Sequence, residues 1–239
     1  RIIGIAYFLP FLWFLARYRL PARLIGRLSI LFVLGGLQGA LGWYMVKSGL
    51  IDQPSISQYR LAAHLGLAVV IYAAMLVTAL DLRTTSSAMS ISGHPAPKGA
   101  RNLSILIFIT MIWGAFVAGM DGGAVFTTFP LMNGGLLPPN ALSISPLWLN
   151  LFENIGTVQF IHRVLAVCTV IAALWLWRTH RHKKSRALTL VAVFAGLQFC
   201  LGVTTILSGA TIYIAWAHQG GAMLLFTLAI WTWRRARLL

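Results

Sequence analysis

The sequence has 239 residues, of which 59% are hydrophobic and only 10% are charged. Because a soluble domain carries about 25% charged residues, this composition excludes an ordinary soluble protein and indicates an integral membrane protein. The formal net charge is +15, but most of the Lys and Arg residues fall in alternate loops and in the C-terminal tail. That distribution is typical of basic cytoplasmic loops, so we expect no nucleic acid among the partners.

Apolar segments long enough to cross a bilayer recur along the chain. We predict six transmembrane helices, at residues 28–46, 61–80, 103–120, 157–177, 187–207 and 212–233. Residues 2–16 form a seventh apolar segment, and since the chain opens on Arg next to it, we expect further sequence upstream. The predicted fold class is an all-α polytopic membrane bundle. It has two pseudo-symmetric four-helix halves, residues 1–101 (the incomplete half) and residues 102–239.

The positive-inside rule predicts the orientation of these helices. Loops 17–27, 81–101 and 178–186 carry most of the basic residues and, with the C-terminal tail, are predicted to be cytoplasmic. The helices that begin near residues 61, 157 and 212 therefore run from the outer side of the membrane to the inner side.

Three histidines lie about one helical turn inside these three helices: His64, His162 and His218. Imidazole is costly to place in hydrocarbon, so intramembrane histidines are functional candidates. Three of them at one depth near the outer face favour ligation of a flat, metal-bearing group, which is a haem or a pair of haems. The remaining histidines are predicted to be solvated among basic cytoplasmic residues: His94, His180 and His182.

An internal repeat relates residues 36–50 to residues 196–210 without gaps. Each copy precedes a helix that carries His64 or His218, which indicates a parallel repeat. Gln38 and Gln198 occupy equivalent positions, and we interpret them as interhelical hydrogen-bonding residues, with contact to a haem edge as the alternative. The repeated glycines allow close helix approach or make room for a macrocycle: Gly36, Gly42, Gly196 and Gly202.

His162 lies two helices before His218, and its counterpart in the first copy would fall at or just before residue 1. Each half would then carry two histidines on its second and fourth helices, able to supply both axial ligands to one iron. Arg163, beside His162, is interpreted either as the partner of a haem propionate or as an interfacial arginine reaching towards water.

A long outer loop connects the helix that ends near residue 120 to the one that starts near 157, and it contains no Lys or Arg. It holds Asp121 and Glu153, whose roles the sequence does not determine. Long loops are often functional lids, so this one is predicted to cover a haem pocket, with an interfacial segment resting on lipid as the alternative. Cys168 and Cys200 are predicted to be buried, inert residues.

Three motifs give the chain a resemblance to a known family: FVAGMDGGAVFTTFPLMNG at 116–134, FENIGTVQFIHR at 152–163 and WAHQGG at 216–221. Together they resemble haem A synthase of the proteobacterial and mitochondrial type. The resemblance implies eight transmembrane helices in two halves and a haem b bound by His162 and His218. It places His64 at the site proposed for the substrate haem iron, as a catalytic residue. The partner of His64 would belong to a Glu-x-x-His-Arg motif upstream of Arg1.

The reaction implied by the resemblance is oxidation of the C8 methyl group of haem O to a formyl group, which gives haem A for cytochrome oxidase. The expected partners are the membrane, haem O, haem O synthase and the assembly of cytochrome oxidase, and a homo-oligomer is left open. The expected location is the bacterial inner membrane with the haem sites near the periplasmic face, or the mitochondrial inner membrane in a eukaryote. The alternative function is a di-haem b-type membrane electron carrier.

Overall fold

The computed structural model describes residues 2–49, 57–85, 98–181 and 185–235. Within these ranges the protein consists of α-helices, two short 3₁₀ turns and connecting loops, with no strand. The helices are α1 (Ile2–Arg17), α2 (Ala22–Gly49), α3 (Gln58–Thr85), α4 (Lys98–Gly119), α5 (Asn150–Glu153), α6 (Ile155–His180), α7 (Arg186–Leu207) and α8 (Ile212–Arg235).

Six of these helices are long and apolar enough to cross a membrane, and they are the six predicted from the sequence. The helices extend beyond several of the predicted apolar segments, most of all at α2, which begins at Ala22 rather than at residue 28. The added turn carries Arg23 and Arg27. Arginine is a good helix former, and its long side chain reaches the polar interface while its stem stays on the apolar surface. The chain is therefore a multi-pass membrane protein.

Helix α4 occupies the centre of the bundle, where it packs against α3, α6 and α8. One buried cluster joins side chains from α3, α4, α6, α7 and α8, including Val69, Ile107 and Leu225. Glycines allow the helices to approach closely. At Gly66, for example, an added methyl group would lie only 2.9 Å from the Ile112 side chain of the neighbouring helix. Such close approach is how membrane helices gain packing where lipid supplies no hydrophobic drive.

Polar contacts link the N-terminal helices to α8. Asp81 on α3 forms ion pairs with Arg27 on α2 and with Arg234 on α8. Deeper in the bundle, the hydroxyl groups of Tyr72 and Thr227 lie 2.7 Å apart and share a hydrogen bond. Helix α3 of the first predicted half thus contacts both α4 and α8 of the second.

The prediction that Cys168 and Cys200 are buried in the protein was wrong, because both thiols are exposed on the helix surface. An apolar position in a spanning helix faces lipid as readily as protein, and the sequence does not distinguish the two. Among the histidines predicted to be solvated, His94 and His182 lie outside the described residues. His180 lies at the last residue of α6, where its Nδ1 is 3.0 Å from the carbonyl oxygen of Leu176.

Candidate functional site

The three intramembrane histidines occupy equivalent positions near the starts of their helices. His64 and His218 lie six residues after the first residue of α3 and α8, and His162 lies seven residues after the first residue of α6. At 1.5 Å per residue, each is about 9–10 Å along its helix. This common register agrees with the predicted common depth.

His162 packs against α4 at a point where that helix has no side chain. A methyl group on Gly114 would lie 3.1 Å from Cε1 of His162. One turn earlier on α4, the carbonyl oxygen of Thr110 lies 3.1 Å from Nδ1 of the same ring. A carbonyl oxygen can only accept, so Nδ1 carries the proton and donates to it, which leaves the lone pair of the neutral imidazole on Nε2.

His218 packs against α7 in the same way. A methyl group on Gly202 would lie 3.0 Å from Cε1 of His218. The side-chain amide nitrogen of Gln198, one turn earlier on α7, is 3.1 Å from Nδ1 of His218 and donates to the backbone carbonyl of His218 at 2.8 Å.

His64 repeats this arrangement against α2. A methyl group on Gly42 would lie 3.1 Å from Cε1 of His64. The amide nitrogen of Gln38 is 3.2 Å from Nδ1 and 3.3 Å from Nε2 of the ring, and it donates to the His64 carbonyl at 3.1 Å. The matched contacts at Gln38 and Gln198 support the repeat predicted from the sequence, and they place both glutamines between helices as interhelical hydrogen-bonding residues.

All three rings therefore rest on the same construction, which we call a histidine cradle: a glycine under the ring and a polar group four residues before that glycine. Residues four apart lie on one face of a helix, so the glycine and the polar group contact the same ring. Because glycine has no side chain, the ring lies directly against the helix backbone. The cradles are Thr110/Gly114 for His162, Gln198/Gly202 for His218 and Gln38/Gly42 for His64. Sequence reasoning missed Thr110 and Gly114, and no signal in the sequence marks them, because Thr110 contributes only its backbone carbonyl oxygen.

The imidazoles of His162 and His218 face each other, with ring centroids 6.5 Å apart and ring planes at 88°. Two imidazole nitrogens on opposite sides of one metal, each about 2.0–2.1 Å from it, would place the ring centroids about 6.4 Å apart. Each ring is held at Nδ1, and neither Nε2 has a recorded hydrogen bond among the described residues. The spacing of the two rings therefore fits two histidine ligands of one haem iron.

A metal held by protein side chains alone is not supported by this arrangement. No group of three or more His, Cys, Asp or Glu side chains in the described part of the chain could hold a metal ion. A haem needs only two protein ligands, because the macrocycle supplies the other four. In the same described ranges, His64 has no recorded ring contact with another histidine.

Arg163 is engaged with the outer loop in this structure. Its two Nη groups donate to the carbonyl oxygens of Thr128 at 2.9 Å and Phe126 at 2.8 Å, and Gln159 donates to the Phe126 carbonyl at 3.2 Å. The Nε of Arg163 is buried and has no hydrogen-bond partner among the described residues. Arg163 thus anchors the loop, and one of its donors remains for a haem propionate, a role that stays a prediction.

The outer loop is ordered by its own polar contacts as well. Asn150, which is fully buried, exchanges hydrogen bonds with the backbone of Ile144. Glu153 accepts a hydrogen bond of 3.0 Å from the hydroxyl group of Tyr59 on α3, so the loop reaches across to the helix that carries His64. Asp121 adopts a left-handed backbone conformation at the end of α4. These contacts support a structured cover over the histidine end of the bundle.

Comparison with known proteins agrees with this site. The model of the COX15-CtaA family, described as cytochrome oxidase assembly protein, matches residues 1–230. The chain belongs to that family. The protein named Heme A synthase from Parvibaculum lavamentivorans is 44% identical over 234 residues, covering 97% of this chain and 67% of the relative. Those of the same name from Nitrosospira multiformis and Rhodospirillum centenum are also 44% identical, covering 97% of this chain and 67% and 63% of the relatives.

Membership of the COX15-CtaA family confirms the predicted resemblance and favours the synthase over the di-haem electron carrier that the sequence left open. The chain spans about two thirds of the length of these relatives. The match covers α1 to α7 and most of α8, so all three histidine cradles lie within the matched region.

Proposed function

We propose that the protein is a haem A synthase, an oxidoreductase that converts haem O to haem A for the assembly of cytochrome oxidase. The observation that carries the proposal is the facing pair His162 and His218, with ring centroids 6.5 Å apart, in a chain of the COX15-CtaA family. In this proposal the two histidines would hold the iron of a resident haem b. A bound haem b would supply one-electron redox chemistry, which no group of protein side chains in the described ranges provides.

The protein's own contribution at this site is orientation. The Thr110 carbonyl and the Gln198 amide hold the two rings at Nδ1, and Gly114 and Gly202 fix how deeply each ring seats. Arg163 holds the outer loop over the same end of the bundle. Because its Nε has no hydrogen-bond partner among the described residues, Arg163 is also the candidate partner for a haem propionate.

His64 is the proposed catalytic residue on the substrate side, where its imidazole would bind the iron of haem O. Support comes from the cradle, because Gln38 and Gly42 repeat the contacts of Gln198 and Gly202 around an equivalent histidine. The reaction there would oxidise the C8 methyl group of haem O to a formyl group, a four-electron oxidation that would take its oxygen from water and pass the electrons to an external acceptor. Binding at the iron would hold the macrocycle against the cradle of His64.

The proposed location is the bacterial inner membrane, or the mitochondrial inner membrane if the source is eukaryotic, with the histidines near the outer face. The basic residues gather at the opposite ends of the helices, as in the ion pairs of Arg27 and Arg234 with Asp81. The proposed partners are haem O and the haem O synthase that makes it, and the proposed division into halves at residues 101 and 102 follows the repeat.

The test is pigment analysis of the purified full-length protein, expressed in cells that make haem O. We expect haem b together with haem O or haem A in the wild-type protein. His64→Ala should abolish haem A formation while haem b stays bound, because His64 lies in a different cradle from His162 and His218. Haem b alone in the wild-type protein would favour the electron carrier, and normal haem A yield from His64→Ala would remove His64 from the substrate site.

A further inference from the structure

We infer that Arg60 binds a propionate carboxylate of the haem that occupies the His64 cradle, and so takes part in substrate binding. The inference rests on the proposed function, because it concerns the haem O proposed to bind at His64. The ligand chemistry is that of a carboxylate, since a haem carries two propionates on one edge of its macrocycle.

The first support is the placement of Arg60 beside the His64 cradle. Arg60 lies four residues before His64 on α3, so the two side chains leave the same face of the helix, about 6 Å apart along its axis. Both side chains contact α2. The His64 ring lies against Gly42, and the guanidinium carbon of Arg60 lies 4.6 Å from the centroid of the Tyr44 ring. Arg60 therefore lies one helical turn from His64, on the side nearer the start of α3.

The second support is the distribution of charge between the two ends of the bundle. Most basic residues of the described ranges lie at the end opposite the histidines, as membrane proteins generally place Lys and Arg on one side. Three lie at the histidine end: Lys47, Arg60 and Arg163. Arg60 is partly buried and is held against a neighbouring helix. A cation in that position indicates a role other than setting the orientation in the membrane.

The third support is a difference between the two copies of the repeat. When His64 is aligned with His218, Arg60 corresponds to Ile214, and in the preceding helix Tyr44 corresponds to Thr204. The cradle is therefore common to both copies, whereas the contact between Arg60 and Tyr44 belongs to the first copy. An arginine needed to build the repeat itself would be expected in both copies. Its presence beside His64 alone favours a task that is specific to the substrate side.

The chemistry of the guanidinium suits this task. Its planar set of N–H donors matches a carboxylate better than a lysine ammonium does, and stacking on an aromatic ring restricts a long and flexible side chain. Lys47 also lies over a ring, that of Trp43, at 4.8 Å. It is five residues beyond Gly42, about 7.5 Å along α2, whereas Tyr44 is only two residues beyond, about 3 Å. Arg60 thus approaches the level of the cradle more closely than Lys47.

The experiment compares the binding of haem O with that of its propionate dimethyl ester, which keeps the iron and the macrocycle but removes both carboxylate charges. Each is titrated into full-length protein that already holds haem b. We expect the wild-type protein to bind haem O at least about tenfold more tightly than the ester. Arg60→Gln should weaken haem O binding about tenfold and leave ester binding unchanged. The matched control is Lys47→Gln, which removes another cation at the same end and should keep the wild-type preference.

A purely structural role for Arg60 predicts that Arg60→Gln weakens haem O and ester equally or loses haem b, and either result overturns the inference. It is also overturned if the wild-type protein binds both compounds equally, if Arg60→Gln keeps the full preference, or if Lys47→Gln lowers the preference as much as Arg60→Gln does.

His64→Ala separates this inference from the proposed function. Haem O binding that requires His64 but shows no preference over the ester would overturn the role of Arg60 alone. Unchanged haem O binding in His64→Ala would remove the proposed substrate site, and the inference with it.

Discussion

The two copies of the repeat, α2–α3 with His64 and α7–α8 with His218, share one local geometry and differ in what faces the ring. Behind each ring the glutamine and the glycine are the same, and the methyl-to-Cε1 distances at Gly42 and Gly202 differ by only 0.1 Å, at 3.1 and 3.0 Å. In front of the ring, His218 is opposed by His162 at 6.5 Å. No histidine contact is recorded for His64 in the described ranges.

The contacts of the two rings with their glutamines also differ. Of the two ring nitrogens of His218, only Nδ1 lies within hydrogen-bond distance of the Gln198 amide nitrogen, whereas both ring nitrogens of His64 lie near that of Gln38. The comparison teaches that one cradle geometry places an imidazole at the same point in both copies, although a second histidine lies beside only one of the two rings in the described ranges.

The largest effect is expected when one histidine of the His162–His218 pair is removed. We expect His162→Ala and His218→Ala to lose the low-spin spectrum of haem b, with retention weakened by more than the 10–100-fold typical of residues that only support a ligand. Optical spectra and haem content of the purified variants measure this. His180→Ala is the matched control, because it changes a histidine at the other end of α6. Wild-type spectra from either facing-pair variant would contradict the assignment.

A smaller effect on haem retention is expected when the glycine of a cradle is replaced by alanine. Gly202→Ala would place a methyl group 3.0 Å from Cε1 of His218, and overpacking of this kind costs about 1–3 kcal/mol, although alanine favours the helix by about 1 kcal/mol. We expect about tenfold weaker haem b retention, measured by haem loss to an acceptor protein. Gly196→Ala is the control, since a methyl group there meets nothing within 4 Å.

The same substitution in the first copy sharpens the comparison. Gly42→Ala should lower haem A yield and leave haem b retention unchanged, with Gly36→Ala, which has open space, as its control. If Gly42→Ala and Gly202→Ala weaken haem b retention equally, the two cradles do not serve separate sites.

The smallest effect is expected at the loop above the second copy. Arg163→Gln removes two hydrogen bonds from a charged donor to Thr128 and Phe126, and such bonds contribute about 1.5–3 kcal/mol each. We expect faster hydrogen exchange in residues 122–135, measured by mass spectrometry. Arg60→Gln is the control, because the Arg60 guanidinium lies over the Tyr44 ring on the first copy. Unchanged exchange after Arg163→Gln would show that the loop is held by its other contacts.

Much of the fold followed from the sequence because hydropathy is a property of consecutive residues. Six spanning helices were predicted and confirmed. The lengths of the apolar segments placed His64, His162 and His218 at one register within their helices, and the repeat predicted that Gln38 and Gln198 would be equivalent. These features depend on spacing along the chain, which the sequence contains in full.

The rotation of each helix about its axis was decided only by the tertiary structure. A helix that is apolar on every side has no amphipathic face to indicate its orientation, so Cys168 and Cys200 were placed inside and lie outside. For the same reason the sequence could not show that His162 rests on Gly114. The partners of Arg163 and of Nδ1 of His162 are backbone carbonyls, which every residue carries, so only the folded chain selects the oxygens of Thr110, Phe126 and Thr128.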